Sequence, residues 1–195
     1  MIIIKMFVLI GFFSLSRSRN RFMPNLPMGE YRVVFDKLYS CEPTENHSIQ
    51  FYIYFSKKSL SIVELKGNVT TLIPFGDNII GDVNIASWGS TGGWKPNSII
   101  HVTKKACSTL KTVVGNAWVT FQKAFHVPTD TCPIPKGTYI SSGMDMNKLI
   151  EGHNFPKVYF YGKYKATFKF KNVENQLLGC GVLEFSLIRP WETPI

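Results

Sequence analysis

The strongest constraint on the fold of this chain is a stretch of alternating side chains, Lys163–Lys171. Lysine or threonine occupies every odd position, and tyrosine, alanine or phenylalanine occupies every even position. A period of two places successive side chains on opposite faces of an extended chain, which is typical of a half-buried antiparallel strand. The polar segment Asn172–Gln176 predicts a turn, and a second alternating segment follows at Leu183–Leu187. The sequence therefore predicts an amphipathic β-hairpin within Tyr159–Leu187.

Similar patterns along the rest of the chain predict a mainly β fold with one domain. Strands are predicted over Glu30–Tyr39, Ile49–Ser56, Leu60–Leu72, Ile79–Ile85 and Gly137–Met144. In Lys104–Phe125 the apolar residues recur at intervals of three and four, which predicts one amphipathic helix, weakened or broken at Gly115. A chain of 195 residues with 45% hydrophobic content can bury one sizeable core. We expect an antiparallel two-sheet β-sandwich or β-cup over residues 19–195, with an apolar cavity and this helix.

The N-terminal residues have the composition of a secretory signal peptide. Lys5 precedes an apolar run, and small residues follow that run. We expect cleavage after Ser16 or Ser18, which defines residues 1–18 as the signal peptide. A membrane anchor is the alternative, but Ile2–Leu15 is shorter than the roughly 20 apolar residues that a span requires. We therefore expect a secreted, extracellular protein, with the lysosome or a sensory-organ lumen as narrower locations.

Four cysteines agree with secretion, because disulfides persist in oxidising compartments. None lies in a C-x-x-C pair, so the spacing does not indicate zinc binding or redox chemistry. Four cysteines allow three connectivities. We favour Cys41–Cys180, which would join the N-terminal strand to the last one, together with Cys107–Cys132, which would close a local loop.

Catalytic and metal-binding motifs are not recognisable in the sequence. It contains no G-x-S-x-G elbow and no glycine-rich phosphate loop, and its four histidines are not at metal-ligand spacing. We therefore expect no enzyme activity, no cofactor and no metal. Two sequons, at Asn46 and Asn68, make the chain a candidate glycoprotein.

The net charge of +9 indicates an acidic partner or a solvated basic face. The lysines alternate along strands instead of forming blocks, so we expect no nucleic-acid partner. A solvated strand face is the simplest interpretation, and attraction to anionic lipid head groups is the more specific one.

Three motifs carry a resemblance to a known family. Cys132-Pro-x-x-Lys-Gly-Thr-Tyr139, Gly162-Lys-Tyr164 and Leu178-Gly-Cys180 follow one another as in the C-terminal half of the ganglioside activator family, which this chain resembles. Those secreted lipid-binding proteins are related to the myeloid-differentiation and Niemann-Pick lipid-recognition superfamily. The chain is also similar to its insect members, which include the chemosensory CheB-type proteins. The resemblance implies a β-cup whose sheets splay around an apolar cavity, and it supports the pair Cys41–Cys180.

From these features we expect a secreted carrier or presenter of a lipid or other hydrophobic ligand. In an insect chemosensory role the ligand is a pheromone-like lipid that is presented to a receptor. In an activator role a membrane lipid is presented to a hydrolase, with transient contact to the membrane surface. The alternative function is an extracellular protein-interaction module without a ligand cavity.

The candidate ligand-contacting residues are large and apolar. They comprise Phe51, Ile53, Phe55, Phe168, Phe170 and Phe185 for the walls, Trp118 and Phe121 for closure from the helix, and Trp88 and Trp94 for the rim. The two rim tryptophans lie in a glycine-rich segment, and burial in the core or contact with a membrane are the alternatives for them.

Overall fold

The computed structural model describes residues 26–41, 44–59 and 62–193. The expected signal peptide, residues 1–18, lies outside the described residues. The elements follow one another in the order β1 (Met28–Glu30), β2 (Arg32–Ser40), a 3-10 helix (Thr44–Asn46), β3 (Ile49–Lys57), β4 (Val63–Thr71), β5 (Ile80–Trp88), β6 (Trp94–Thr103), α1 (Ala106–Val114), α2 (Ala117–Ala124), β7 (Gly137–Asp145), α3 (Met146–Gly152), β8 (Val158–Phe160), β9 (Gly162–Lys171) and β10 (Leu177–Ile188).

Two antiparallel sheets form the body of the fold. The larger sheet has the strand order β2-β10-β9-β5-β6, and the smaller sheet has the order β3-β4-β7. A separate two-stranded ribbon pairs β1 with β8. This architecture confirms the predicted mainly β, antiparallel sandwich.

The β9–β10 hairpin has the predicted apolar face and the predicted basic face. Tyr164 and Ala166 are buried, whereas Lys163 and Lys169 on the alternate positions are exposed. Phe185 of β10 lies opposite Tyr164 in the antiparallel register, and their rings stack at 5.6 Å. The period of two therefore places one face of this hairpin towards the interior.

The amphipathic segment 104–125, which was predicted to be weakened or broken at Gly115, forms the two helices α1 and α2. Gly115 separates them with a φ of +62°, a conformation that L side chains rarely adopt. A Cβ atom at this position would lie 2.6 Å from the carbonyl oxygen of Gly152. The next residue, Asn116, donates its backbone N–H to the same carbonyl at 2.9 Å. The break therefore allows the α1–α2 junction to pack closely against the end of α3.

The β1–β8 ribbon, strand β6 and helix α3 were not predicted. Strand β6 carries proline and asparagine within its first half, so its sequence lacks a clean alternation. Helix α3 is only 7 residues long and is capped by the preceding Asp145, whose carboxylate accepts a hydrogen bond from the Asn147 backbone N–H at 2.9 Å. Such a short helix leaves little periodic signal in the sequence.

Two disulfides connect distant parts of the fold. The structure has the favoured connectivity, with Cα–Cα distances of 5.5 Å for Cys41–Cys180 and 6.0 Å for Cys107–Cys132. The first bond ties the end of β2 to β10, and the second ties α1 to the segment before β7. Within the described ranges, no helix has the length and apolar character needed to cross a bilayer.

Candidate functional site

The inner face of β3 provides one wall of the space between the sheets. Phe51, Ile53 and Phe55 are half-buried, whereas the intervening Tyr52 and Tyr54 are 46% and 55% exposed on the outer face. The three inner side chains pack against the buried core at one side. Each of the three side chains nevertheless keeps some accessible surface.

The opposite wall comes from the larger sheet. Phe168 and Phe170 project from β9. The centre of the Phe51 ring lies 5.6 Å from the centre of the Phe168 ring and 6.1 Å from that of the Phe170 ring. Nearby, the rings of Phe35 of β2 and Phe55 have their centres 5.2 Å apart. The predicted wall residues of β3 and β9 are therefore brought together across the two sheets, which a sequence pattern alone could not establish.

Phe185, the remaining predicted wall residue, lies further along the same inner face. It is half-buried, like Phe168 and Phe170. Its closest described aromatic partner is Tyr164 of the neighbouring strand, and not the Phe51 group. Phe185 thus extends the apolar wall towards the end of the sheet where the β1–β8 ribbon lies.

The sheets approach each other closely near the Cys41–Cys180 disulfide. A Cβ atom on Gly179 of β10 would lie 2.5 Å from the carbonyl oxygen of Ile49 of β3. The Ser40 hydroxyl of β2 also donates a hydrogen bond across the sheets, to the Phe51 carbonyl oxygen at 2.9 Å. These contacts close one end of the sandwich.

Small residues lie beside Ile53 on the inner face of the smaller sheet. In the register of β3, β4 and β7, Ile53 is opposite Gly67, and Gly67 is opposite Ser141. The buried Ser141 hydroxyl donates to the carbonyl oxygen of Leu65 at 2.9 Å, so it is satisfied within its own sheet. This row of the inner face therefore has one large apolar side chain and two small residues.

Three further apolar residues of the inner face were not among the residues predicted to line the intersheet space. Val83 and Ile85 of β5 lie opposite Phe168 and Ala166 in the register, and Ile99 of β6 lies opposite Ile85. All three of these apolar side chains are half-buried. The alternation around Val83 and Ile85 was visible in the sequence, but Ile99 belongs to the strand that was not predicted.

The β1–β8 ribbon lies at the opposite end from the close approach at Gly179. The Tyr164 hydroxyl donates to the carbonyl oxygen of Phe160 at 2.9 Å, and the rings of Tyr159 and Tyr164 lie 5.9 Å apart. Burial, followed by the nearby Tyr159, raises the pKa of Tyr164 above its ordinary value of 10.0. Met28 and Phe160, which are paired in the ribbon, are both exposed. The ribbon thus presents apolar side chains at the end of the sandwich that Gly179 does not close.

The two predicted rim residues lie on the outer face of the larger sheet. Trp88 and Trp94 pair at the ends of β5 and β6, with their rings edge to face at 5.2 Å. Ser87 is opposite the inward-facing Tyr164, so its neighbour Trp88 points to the other side. The Lys165 ammonium lies 4.7 Å from the centre of the Trp94 ring on that outer side. The described geometry therefore does not place these tryptophans on the intersheet face.

The predicted closure from the helix involves two residues with different surroundings. Trp118 is 2% exposed, and its indole N–H donates to the carbonyl oxygen of Asp130 at 3.1 Å. Phe121 is half-buried and stacks between Trp118 and Phe125, at 6.2 Å and 4.6 Å. Trp118 is thus part of the packed core, and Phe121 retains some accessible surface.

A surface depression of about 440 Å³ lies elsewhere, around Tyr161, Arg189 and Glu192. The Arg189 guanidinium is 2.6 Å from a Glu192 carboxylate oxygen and 4.7 Å from the centre of the Tyr161 ring. The charged groups of Arg189 and Glu192 in this depression therefore form an ion pair with each other. In the part of the chain that the structure describes, no three His, Cys, Asp or Glu side chains are grouped as a metal site.

Comparison with known families adds one finding. A family model described as a protein of unknown function, DUF1091, matches residues 83–166. The DUF1091 match begins in β5, ends in β9 and includes the three helices. No curated protein matches the chain.

Proposed function

We propose that this protein is a secreted carrier that binds a lipid or another hydrophobic ligand between its two sheets. The observation that carries the proposal is the partial accessibility of large apolar side chains on the inner faces, such as Phe51 and Phe168. In a filled sandwich, side chains from the two inner faces interdigitate and exclude water. Partial exposure here favours a space that an apolar ligand fills.

The chemistry of the site suits an acyl chain. Burial of each CH₂ group contributes about 0.8 kcal/mol, so an extended chain binds without many polar contacts. Ser40 and Ser141, the polar residues described above on these inner faces, already donate to backbone carbonyls. Affinity would therefore depend on the length and shape of the apolar part of the ligand.

The DUF1091 match supports the same proposal, because this family is known from the lipid-recognition-like group. The two disulfides fit an extracellular location. Within the carrier proposal, two roles are open: presentation of a pheromone-like lipid to a receptor, and presentation of a membrane lipid to a hydrolase. The former requires expression in sensory tissue, and the latter requires contact with a membrane surface.

The ligand would enter beside the β1–β8 ribbon. The opposite end is closed by the backbone approach of Ile49 and Gly179 and by the nearby disulfide. The ribbon instead carries exposed apolar side chains, including Met28 and Phe160. We assign the mouth of the proposed site to this end.

A pair of tryptophan variants on adjacent residues tests the proposal. Ile53→Trp places a bulky ring on the inner face, where it would compete with a ligand between the sheets, whereas Tyr54→Trp adds the same side chain on the outer face. The mature protein would be prepared from an oxidising host, inspected by native mass spectrometry, and titrated with fluorescent fatty acids of several chain lengths. We expect binding by the parent protein, at least about tenfold weaker binding by Ile53→Trp because about 1.4 kcal/mol is lost, and unchanged binding by Tyr54→Trp.

The carrier proposal fails if the parent protein binds none of these probes and carries no co-purified ligand. It also fails if both tryptophan variants bind as the parent does, because binding would then lie outside the intersheet space. Thermal unfolding of each variant shows that it is folded before titration.

A second candidate function, a protein-interaction module, is favoured by the edge strand β6. This strand ends the larger sheet, and its Ile100 and Val102 are each 59% exposed. An uncovered edge can pair with a strand of another protein. Capture of a receptor partner that is lost in Ile100→Lys, with fatty-acid binding absent, would favour this candidate over the carrier.

A further inference from the structure

The outer face of the smaller sheet carries a sequon between two exposed apolar side chains. Asn68 begins the sequence Asn-Val-Thr in β4, the central strand of this sheet. In the register, Asn68 is directly opposite Tyr52 of β3 on one side and Ile140 of β7 on the other. Tyr52 is 46% exposed and Ile140 is 59% exposed. All three side chains therefore project from one row of the solvent-facing side.

We propose that Asn68 carries an N-linked glycan whose first sugar packs on Tyr52 and Ile140. Directly opposite residues in neighbouring strands have Cβ atoms about 4.5–5.5 Å apart. A sugar attached to Asn68 therefore begins within reach of both side chains. The C–H face of N-acetylglucosamine is apolar enough to cover a tyrosine ring and an isoleucine side chain.

The reaction is a group transfer that takes place during secretion. The side-chain amide nitrogen of Asn68 forms a bond to C1 of the first N-acetylglucosamine of a polyprenyl-diphosphate-linked oligosaccharide. The bond from that carbon to the diphosphate oxygen breaks, the polyprenyl diphosphate leaves, and the amide nitrogen loses one proton. The hydroxyl of Thr70, two residues on, completes the sequon that the transferase recognises.

The position explains an apolar surface that otherwise faces water in the centre of a sheet. A polar side chain is usual on the solvent face of a half-exposed strand. The row that contains Asn68 has instead an aromatic and a β-branched side chain on its flanks. The second sequon differs, because Asn46 lies in the 3-10 helix Thr44–Asn46 and not between two strands.

The modification is tested directly by mass. The full chain would be secreted from a eukaryotic cell, and its peptides would be analysed after peptide-N-glycosidase treatment in ¹⁸O-labelled water. We expect the label at residue 68, its loss in Asn68→Gln, and its retention in Thr70→Ser, which keeps the sequon and a hydroxyl towards Thr138. Unlabelled Asn68 in the secreted parent protein would overturn the proposal, whether or not either variant folds.

The packing of the sugar has its own test. Tyr52→Ser would be compared in the glycosylated protein and in unglycosylated protein from a disulfide-forming bacterial compartment. We expect the melting temperature to fall by about 2–4 °C more in the glycosylated form, the change that corresponds to one modest contact in a chain of this size. The control is Tyr54→Ser, because Tyr54 is opposite Lys66 and not Asn68. Equal losses for Tyr52→Ser in both forms would overturn the packing.

Both tests are independent of the carrier proposal. They require secretion and a folded outer face, and neither depends on a ligand between the sheets.

Discussion

A Cβ atom on Gly179 would lie 2.5 Å from the carbonyl oxygen of Ile49, so β10 and β3 meet backbone to backbone at this point. The adjacent Cys180 is bonded to Cys41, which follows β2. The close approach and the disulfide lie together at one end of the sandwich. The two sheets are therefore held together at this end.

The first prediction concerns this close approach. We expect Gly179→Ala to lower the free energy of unfolding by about 1–3 kcal/mol, because the added methyl group overpacks the contact with Ile49. Chemical denaturation would measure the loss. The matched control is Gly137→Ala, where the nearest atoms to the added carbon are those of the Tyr139 ring at 3.4 Å. Equal losses in the two variants would show that the approach at Gly179 is not restrictive.

The second prediction compares the two disulfides. The bond Cys41–Cys180 spans 139 residues and Cys107–Cys132 spans 25. On the loop-entropy model, replacing both cysteines of a bond by serine costs about 5 kcal/mol for the longer loop and about 3.5 kcal/mol for the shorter one. Denaturation of the two double variants would give this order. The reverse order would indicate that local packing around Cys107 outweighs loop entropy.

The third prediction concerns the start of α1. Asp77, in the loop before β5, accepts hydrogen bonds from the Ser108 backbone N–H at 2.8 Å and the Ser108 hydroxyl at 2.5 Å. These bonds hold the pKa of Asp77 below its ordinary value of 3.8. Its stabilisation is therefore complete above that value and is lost as the pH falls through the lower pKa of the folded state.

We expect Asp77→Ala to lower the melting temperature by about 2–4 °C at neutral pH, because a helix N-terminus loses its cap. Asp77→Asn keeps an oxygen that can accept from the Ser108 backbone N–H and should lose less. Thermal scans by circular dichroism would measure both variants. An unchanged melting temperature in Asp77→Ala would contradict a capping role.

The fourth prediction is a loss of stability in mildly acidic solution, caused by His153. Burial, together with the positive charge of Lys157, lowers the pKa of His153 from its ordinary value of 6.5. Its Nδ1 atom accepts the backbone N–H of Phe155 at 3.0 Å, which requires the neutral ring. As the pH falls below 6.5, the unfolded chain binds a proton that the folded chain resists, so stability decreases until the folded-state pKa is reached.

The loss should approach, at most, about 1.4 kcal/mol for each pH unit within that window. Denaturation curves between about pH 7.5 and about pH 5 would measure it, since the window lies just below the free imidazole pKa. In the His153→Gln variant the side chain at this position does not titrate, so we expect a shallower dependence of stability on pH. The same slope in both proteins would assign the pH dependence to another group.

Much of the larger sheet could be predicted from the sequence. The alternation in Lys163–Lys171 is a local property of the chain, and it correctly assigned Tyr164 and Ala166 to the buried face. Gly115 was correctly expected to weaken or break the helix, but the packing reason for the break, the nearby Gly152 carbonyl, is remote in sequence. Strand β6 was missed because an edge strand with proline and asparagine shows little periodicity.

In the candidate site, too, local sequence patterns were predictable and contacts between remote segments were not. Phe51 and Phe168 were assigned to inner faces by their local pattern, and the structure brings their rings to 5.6 Å. Trp88 and Trp94 were expected at the rim because aromatic rings in a glycine-rich segment stand out. Their side of the sheet depends on the register of β5 with β9, which the local sequence does not encode.

The sequence by itself determined most of the strand segments, with β6 and the β1–β8 ribbon as exceptions, which of their faces are apolar, and that the chain carries cysteines for two disulfides. These properties depend on side-chain order along one extended segment. Only the tertiary structure decided which apolar faces stay partly accessible, because accessibility depends on the distance between layers. That distance is set by contacts remote in sequence, above all the meeting of Ile49 and Gly179 beside Cys41–Cys180.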